Sequence, residues 1–183
     1  MESAREVFLS MGADKASMKT IAAAAGVNSA LLYQHFATNG ELFEVAILRP
    51  LKEAVDDAIS RARSEPSPLN ASDAILRVHE VLLDLMAQVA VSLGVTLFSD
   101  KYPGRQFFST EVEPVLATWI RETLEIADSS RSLVLSPELL ASALTGIHLT
   151  LALDAEMREV DLDRGFVLAR LLDAFPLDEA ISN

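Results

Sequence analysis

At 183 residues, half of them hydrophobic, the chain is long enough to bury a core and to fold unaided. It holds no cysteine, which excludes disulfides, thiolate metal sites and cysteine nucleophiles and fits a reducing, cytoplasmic setting. The formal net charge is −12, from 15 basic and 27 acidic residues, a balance that taken whole argues against a nucleic-acid partner.

The charge is unevenly spread, and this changes its meaning. In residues 1–52, Arg5, Lys15, Lys19, Arg49 and Lys52 are balanced by Glu2, Glu6, Asp14, Glu41 and Glu44, so the whole acidic excess lies in residues 53–183. A neutral N-terminal segment can still set a few cations and helix N-termini against phosphates, while an acidic body is kept off the duplex. The opening MESAREVFLS lacks the cationic flank and apolar core of a signal peptide. Two apolar stretches begin at Val81 and Leu139. The first carries Asp84 and Gln88 and the second is short and holds His148, so both are expected to be buried helices rather than membrane spans.

No sustained period-two run of β-branched residues is bounded by hairpin turns, and the predicted class is all-α. A short helix is expected over residues 3–11, ending before Gly12. A second runs from Met18 to Ala25 behind Ser17 as N-cap, with Gly26 placed to close it in a left-handed conformation. A third spans Ser29 to His35 behind Asn28. Thr38 and Glu41 have the spacing of a capping box for a longer helix toward Arg63, and Pro50 inside that helix predicts a kink or break. The prolines of Ser64–Asn70 mark a linker. A long helix from Ala71 to about Ser92, a short helix and loop over 94–110, and helices near 111–128, 137–158 and 162–175 complete the chain.

Two short helices joined at Gly26-Val27-Asn28 have the proportions of a helix-turn-helix, whose second helix enters the major groove. Ile21, Ala22, Ala25, Val27 and Leu32 are expected to lock the crossing. Tight helical hairpins also occur in proteins that never touch DNA, so the surrounding residues carry more weight. Ala4, Phe8 and Gly12 precede Ile21-Ala22 and Ala25-Gly26-Val27, and Leu32-Tyr33, His35-Phe36 and Glu41-Leu42 follow. This string resembles the N-terminal domain of the tetracycline-repressor (TetR) family over residues 4–45.

The resemblance implies a helix-turn-helix domain over residues 1–45 and a helical ligand-binding and dimerisation domain over 46–183. It implies a homodimeric repressor that leaves a near-palindromic double-stranded operator when a small molecule binds the body. It puts Lys19, Ser29, Ala30, Leu31 and Gln34 at positions facing base edges, and Ser17, Met18, Tyr33 and His35 at or beside positions facing phosphates. The Tyr33 hydroxyl could donate to a phosphate while its ring packs under the helix pair. Lys19 and Gln34 are the long polar side chains expected to read bases. Where the family usually has a lysine that meets a phosphate, this chain has Asn39 followed by Gly40. That departure, with the short first helix, supports one rival: a helical dimeric sensor or adaptor that has lost DNA binding.

No catalytic constellation or glycine-rich phosphate loop is visible, so neither an enzyme nor a cofactor is expected. His79 and His148 lie far apart in sequence without metal-ligand spacing and read as core or pocket residues. A pocket for a hydrophobic effector is expected among Leu82, Met86, Leu116 and Trp119, with His79, Gln88 and His148 as isolated hydrogen-bonding groups. In the helix from Pro137, Leu140, Leu144, Ile147 and Leu151 form one apolar face, and Leu139, Ala143, Gly146 and Thr150 form a second. The second face, with Leu168, Leu171, Leu172 and Phe175 of the last helix, is the expected subunit interface.

Overall fold

Each early helix starts where a side chain replaces the missing backbone partner. Ser17 Oγ accepts from the Thr20 amide at 3.1 Å, Asn28 Oδ1 from the Ala30 amide at 2.9 Å, and Thr38 Oγ1 from the Glu41 amide at 3.1 Å. Glu41 reaches back as a capping box requires, though Oε2 takes the amide of Ala37, at 2.8 Å, rather than that of Thr38.

A computed structural model describes residues 1–102, 104–127, 136–161 and 163–174. Among these every regular element is helical. The order is α1 (Glu2–Met11), α2 (Met18–Ala24), α3 (Ser29–His35), α4 (Asn39–Phe43), α5 (Arg49–Ser64), α6 (Ala71–Leu97), α7 (Gly104–Phe107), α8 (Glu113–Ala127), α9 (Pro137–Arg158) and α10 (Arg164–Ala174).

Pro50 does not break its helix. A π-helical turn over Glu44–Leu48 joins α4 to α5, and a second one over Phe108–Val112 joins α7 to α8. Each ends two residues before a proline, Pro50 in one case and Pro114 in the other. Proline cannot donate to the carbonyl four residues back and its ring crowds that carbonyl. Widening the preceding turn to an i→i+5 pattern lets the helix continue.

The long helix α6 runs five residues beyond its expected end at Ser92, passing through Gly94 to Leu97. A glycine inside a helix costs about 1 kcal/mol relative to alanine. Here the cost is met by packing on either side, with Leu93 buried and Val95 set against the first core. By length and composition α6 and α9 could each cross a membrane. Half of the most apolar window of α6 is buried inside the protein, as in a core helix, and a third of that of α9.

The chain forms two compact units. The first takes residues 1–57 and 89–112, and the second takes 58–88 and 113 onward. Phe8, Ile21, Leu42, Phe43 and Ile47 form the centre of the first core, where Phe8 meets Phe43 edge to face at 5.1 Å and 81°. Tyr102 and Phe107 pack against the same core. In the second unit Leu82, Leu83, Leu85 and Met86 of α6 and Leu116, Trp119 and Ile120 of α8 are buried, and α8 packs along α9.

Candidate nucleic-acid interface

Gly26 closes α2 with φ +65°, a conformation that costs a side chain dearly and glycine little. Its amide donates to Ala23 O at 3.2 Å and that of Val27 to Ala22 O at 3.0 Å, so the carbonyls at the end of α2 are satisfied before α3 begins. Ile21 and Ala22 are buried and Leu32 is half-buried, as the crossing requires, whereas Ala25 and Val27 are exposed. With seven residues in each helix, the crossing is too short to cover its own turn.

None of the residues of α3 is buried. Ala30, Leu31, Tyr33, Gln34 and His35 are exposed and Ser29 half-buried. Leu31 keeps 43% of its surface and Tyr33 58%, so the Tyr33 ring does not pack under the helix pair as expected but stands free with its hydroxyl. A helix with no fully buried residue leaves most of one face to be buried elsewhere. On α2, Lys19 is exposed beside it. Met18 is only 4% exposed and belongs to the first core, so its side chain faces inward and only its backbone amide, at the start of α2, is left to meet an anion. Ser17 is exposed, but its hydroxyl already bonds both the amide and the hydroxyl of Thr20.

Asn39 is turned inward. Its Nδ2 donates to Ala16 O at 2.9 Å and to the Tyr102 hydroxyl at 2.7 Å, while Oδ1 is buried without a partner. The Tyr102 ring lies stacked on Phe43 at 4.5 Å and 9°. Asp14, in the loop before α2, accepts from Ser99 Oγ at 2.8 Å and from the amides of Asp100 and Lys101 at 3.2 and 3.0 Å. The Ser99 bond and then the Asp100 amide hold the Asp14 carboxyl below its ordinary pKa. Sequence reasoning missed both contacts, because their partners lie 63 and 85 residues away and no local pattern announces them.

The residues expected to meet an effector all lie in the second unit, though Gln88 is exposed. Leu82, Met86, Leu116 and Trp119 are each buried. His79 and His148, expected to be separate, form one pair: His79 Nδ1 and His148 Nε2 are 3.1 Å apart. Among the residues expected at a subunit interface, Leu139, Ala143, Gly146 and Thr150 are exposed and Leu168 is half-buried. The helix α10 includes Leu171 and Leu172, but their side chains, and Phe175 altogether, lie outside the described residues. Gly146, Ala143, Thr150, Ile147, Ser142 and Leu151 line an open groove of about 550 Å³ on α9. Among the described residues no cluster of three or more potential metal ligands occurs.

A solvent-facing recognition helix held behind a glycine turn, in an all-α chain with a separate helical core, is the architecture of a helix-turn-helix transcriptional regulator. Residues 1–46 match the family model of bacterial regulatory proteins of the tetR family. The resemblance read from residues 4–45 is thereby borne out. The fold of the whole chain is shared with several solved regulators. FadR from Bacillus subtilis, solved in complex with stearoyl-CoA, is 15% identical with TM-score 0.70, covering 94% of this chain and 93% of that one. A TetR-like transcriptional regulator from Rhodococcus sp. RHA1 is 22% identical with TM-score 0.67, covering 94% and 88%. The fatty acid degradation regulator FadR from Bacillus halodurans is 14% identical with TM-score 0.68, covering 100% and 94%. No curated protein matches the sequence.

Proposed function

We propose that the protein is a dimeric, cytoplasmic one-component repressor that binds a near-palindromic operator and is released from it by a small hydrophobic effector. The observation that carries this reading is α3, seven residues none of which is buried, presenting Ala30, Leu31, Tyr33 and Gln34 beside Lys19. Inserted in a major groove, Gln34 and Lys19 can bond base edges, Leu31 and Ala30 can meet thymine methyls, and the Tyr33 hydroxyl can donate to a phosphate. The same exposed helix favours DNA binding over a sensor or adaptor that has lost it.

Dimerisation is supported by the outer face of α9. Leu139 is 55% exposed and Ile147 36%, Ile147 lines a groove with Gly146 and Ala143, and Phe166 of α10 is 60% exposed. Apolar surface with small residues at its centre suits close packing of a second copy's helices. Effector binding is supported by the apolar core of the second unit with its one histidine pair, and residues 46–183 would thus serve ligand and partner while 1–45 read DNA. Selection from a random duplex pool tests the reading: an enriched inverted repeat is expected, and a folded dimer that enriches none refutes it.

A further inference from the structure

Both ends of the helix-turn-helix are fastened to the same short segment, residues 99–102. Ahead of α2, the Asp14 carboxylate takes three hydrogen bonds from that segment. Behind α3, Asn39 at the start of α4 spans from Ala16 O to the Tyr102 hydroxyl, so it ties the residue before the N-cap of α2 to the segment as well. Ser99 Oγ organises the segment itself by accepting from the amides of Lys101 and Tyr102, each at 3.2 Å. Its fold is fixed from behind by Gly104. A Cβ there would stand 1.9 Å from Thr96 O, so only glycine fits this close approach to the end of α6.

The placement of α2 and α3 has few other determinants. Three residues of α2 and none of α3 are buried, and hydrophobic packing alone sets such short helices loosely. The Asn39 amide is also held at a cost, since its Oδ1 is buried with no donor. A residue kept inward at that cost, with both amide hydrogens used, is not available to a phosphate.

We infer that Asn39, with Tyr102 and Asp14, is a positioning device that sets α2 and α3 for the major groove, and that Asn39 supports DNA binding through this bracket and not by touching DNA. This rests on the DNA-binding reading above. The two possible roles of Asn39 predict opposite signs for one substitution. Asn39→Lys adds a cation to the DNA-facing domain. If the side chain at 39 were free to face phosphate, affinity for the selected inverted repeat would rise and its salt dependence would steepen by about one unit of log K against log salt per subunit, about two for the dimer. The bracket predicts at least a tenfold loss for the repeat, with binding to a generic duplex unchanged or stronger.

The test uses the full chain, with Asn39→Lys and Tyr102→Phe, the latter keeping the ring on Phe43 and removing only the hydroxyl. DNA binding is measured on the selected repeat and on a generic duplex, and amide hydrogen exchange on the free protein. Support is faster exchange in residues 17–35 in both variants, with the amides of α8 and α9 unchanged, together with the tenfold loss on the repeat. Tighter binding of the repeat by Asn39→Lys, or unaltered exchange in 17–35 in Tyr102→Phe, overturns the inference. If the wild type selects no repeat, the DNA-binding reading fails by that result, and the exchange data still decide whether the bracket positions α2 and α3.

Discussion

His79 and His148 share a hydrogen bond whose direction is fixed by a third group. His148 Nδ1 lies 2.6 Å from Leu144 O, and a carbonyl only accepts, so Nδ1 carries the proton and the neutral ring offers Nε2 as acceptor. His79 Nδ1 must then donate to His148 Nε2 at 3.1 Å, leaving His79 Nε2 as a bare acceptor. Burial, and then the neighbouring ring of His148, lower the His79 pKa to about 4, and burial lowers that of His148.

The first prediction follows from this neutral pair. Unfolded histidines titrate near 6.5, so between about pH 6.5 and 4 the unfolded chain binds more protons than the folded one, and stability falls as pH falls through that window. For His79 the loss between pH 7.5 and 5 is about 2 kcal/mol. Urea denaturation at the two pH values measures it. In His79→Leu the drop should shrink, while stability at pH 7.5 falls by about 1–3 kcal/mol because His148 Nε2 loses its donor. An equal acid drop in the variant would show that the pair is not its source.

A second prediction separates the roles on the exposed helix pair. Tyr33→Phe removes only a hydroxyl and should weaken binding to all duplexes alike, by about tenfold for one hydrogen bond to a charged oxygen. Lys19→Ala and Gln34→Ala should instead relax preference at particular base pairs, each by about 1–3 kcal/mol of discrimination. Binding of each variant to a set of single-base operator mutants makes the comparison. Uniform losses for Gln34→Ala would remove it from base reading.

Local chemistry made most of the helices legible in the sequence. Ser17, Asn28 and Thr38 cap where their side chains predict, and Gly26 takes the left-handed turn that its position demands. What stayed hidden was set by distance along the chain. Asn39 reads as a lost phosphate contact, and nothing local singles out Asp14, until residues 99–102 are folded against them. The histidine pair was equally silent, since α6 and α9 bring together residues 69 positions apart. Pro50 predicts a kink or break, whereas the helix continues through it behind a π turn.

A third prediction concerns assembly. A Cβ at Gly146 meets nothing within 4 Å, so Gly146→Glu leaves the fold of one chain untouched. Set at the centre of the α9 groove, the same carboxylate would be buried unpaired in a dimer, which is strongly unfavourable. The variant should therefore keep its helical circular dichroism, become monomeric by light scattering at micromolar concentration, and lose binding to the inverted repeat. Ala143→Glu should do the same. A wild type already monomeric at that concentration would refute the interface.

The last prediction concerns the effector. Leu82, Met86, Leu116 and Trp119 make the second core hydrocarbon-rich, and residues 53–183 carry the whole net charge of −12. An acidic body repels polyanions, so a neutral or cationic hydrophobic molecule is the favoured guest, and His79 Nε2 can accept a hydrogen bond from its hydroxyl or amide. The solved complex of Bacillus subtilis FadR with stearoyl-CoA suggests a direct comparison, in which one acyl chain carries different heads. Stearoyl-CoA, stearate and a neutral stearoyl amide would each be titrated against the protein. Trp119 is the only tryptophan and is 2% exposed, so its fluorescence reports a guest in the core. The neutral amide is expected to quench it, to raise the melting temperature in proportion to the logarithm of its concentration above Kd, and to release the inverted repeat. If His79 supplies the acceptor, His79→Leu should weaken the amide about tenfold and leave a simple hydrocarbon unaffected. Response to stearoyl-CoA alone would overturn the charge argument and place a polyanion-binding site on an acidic body.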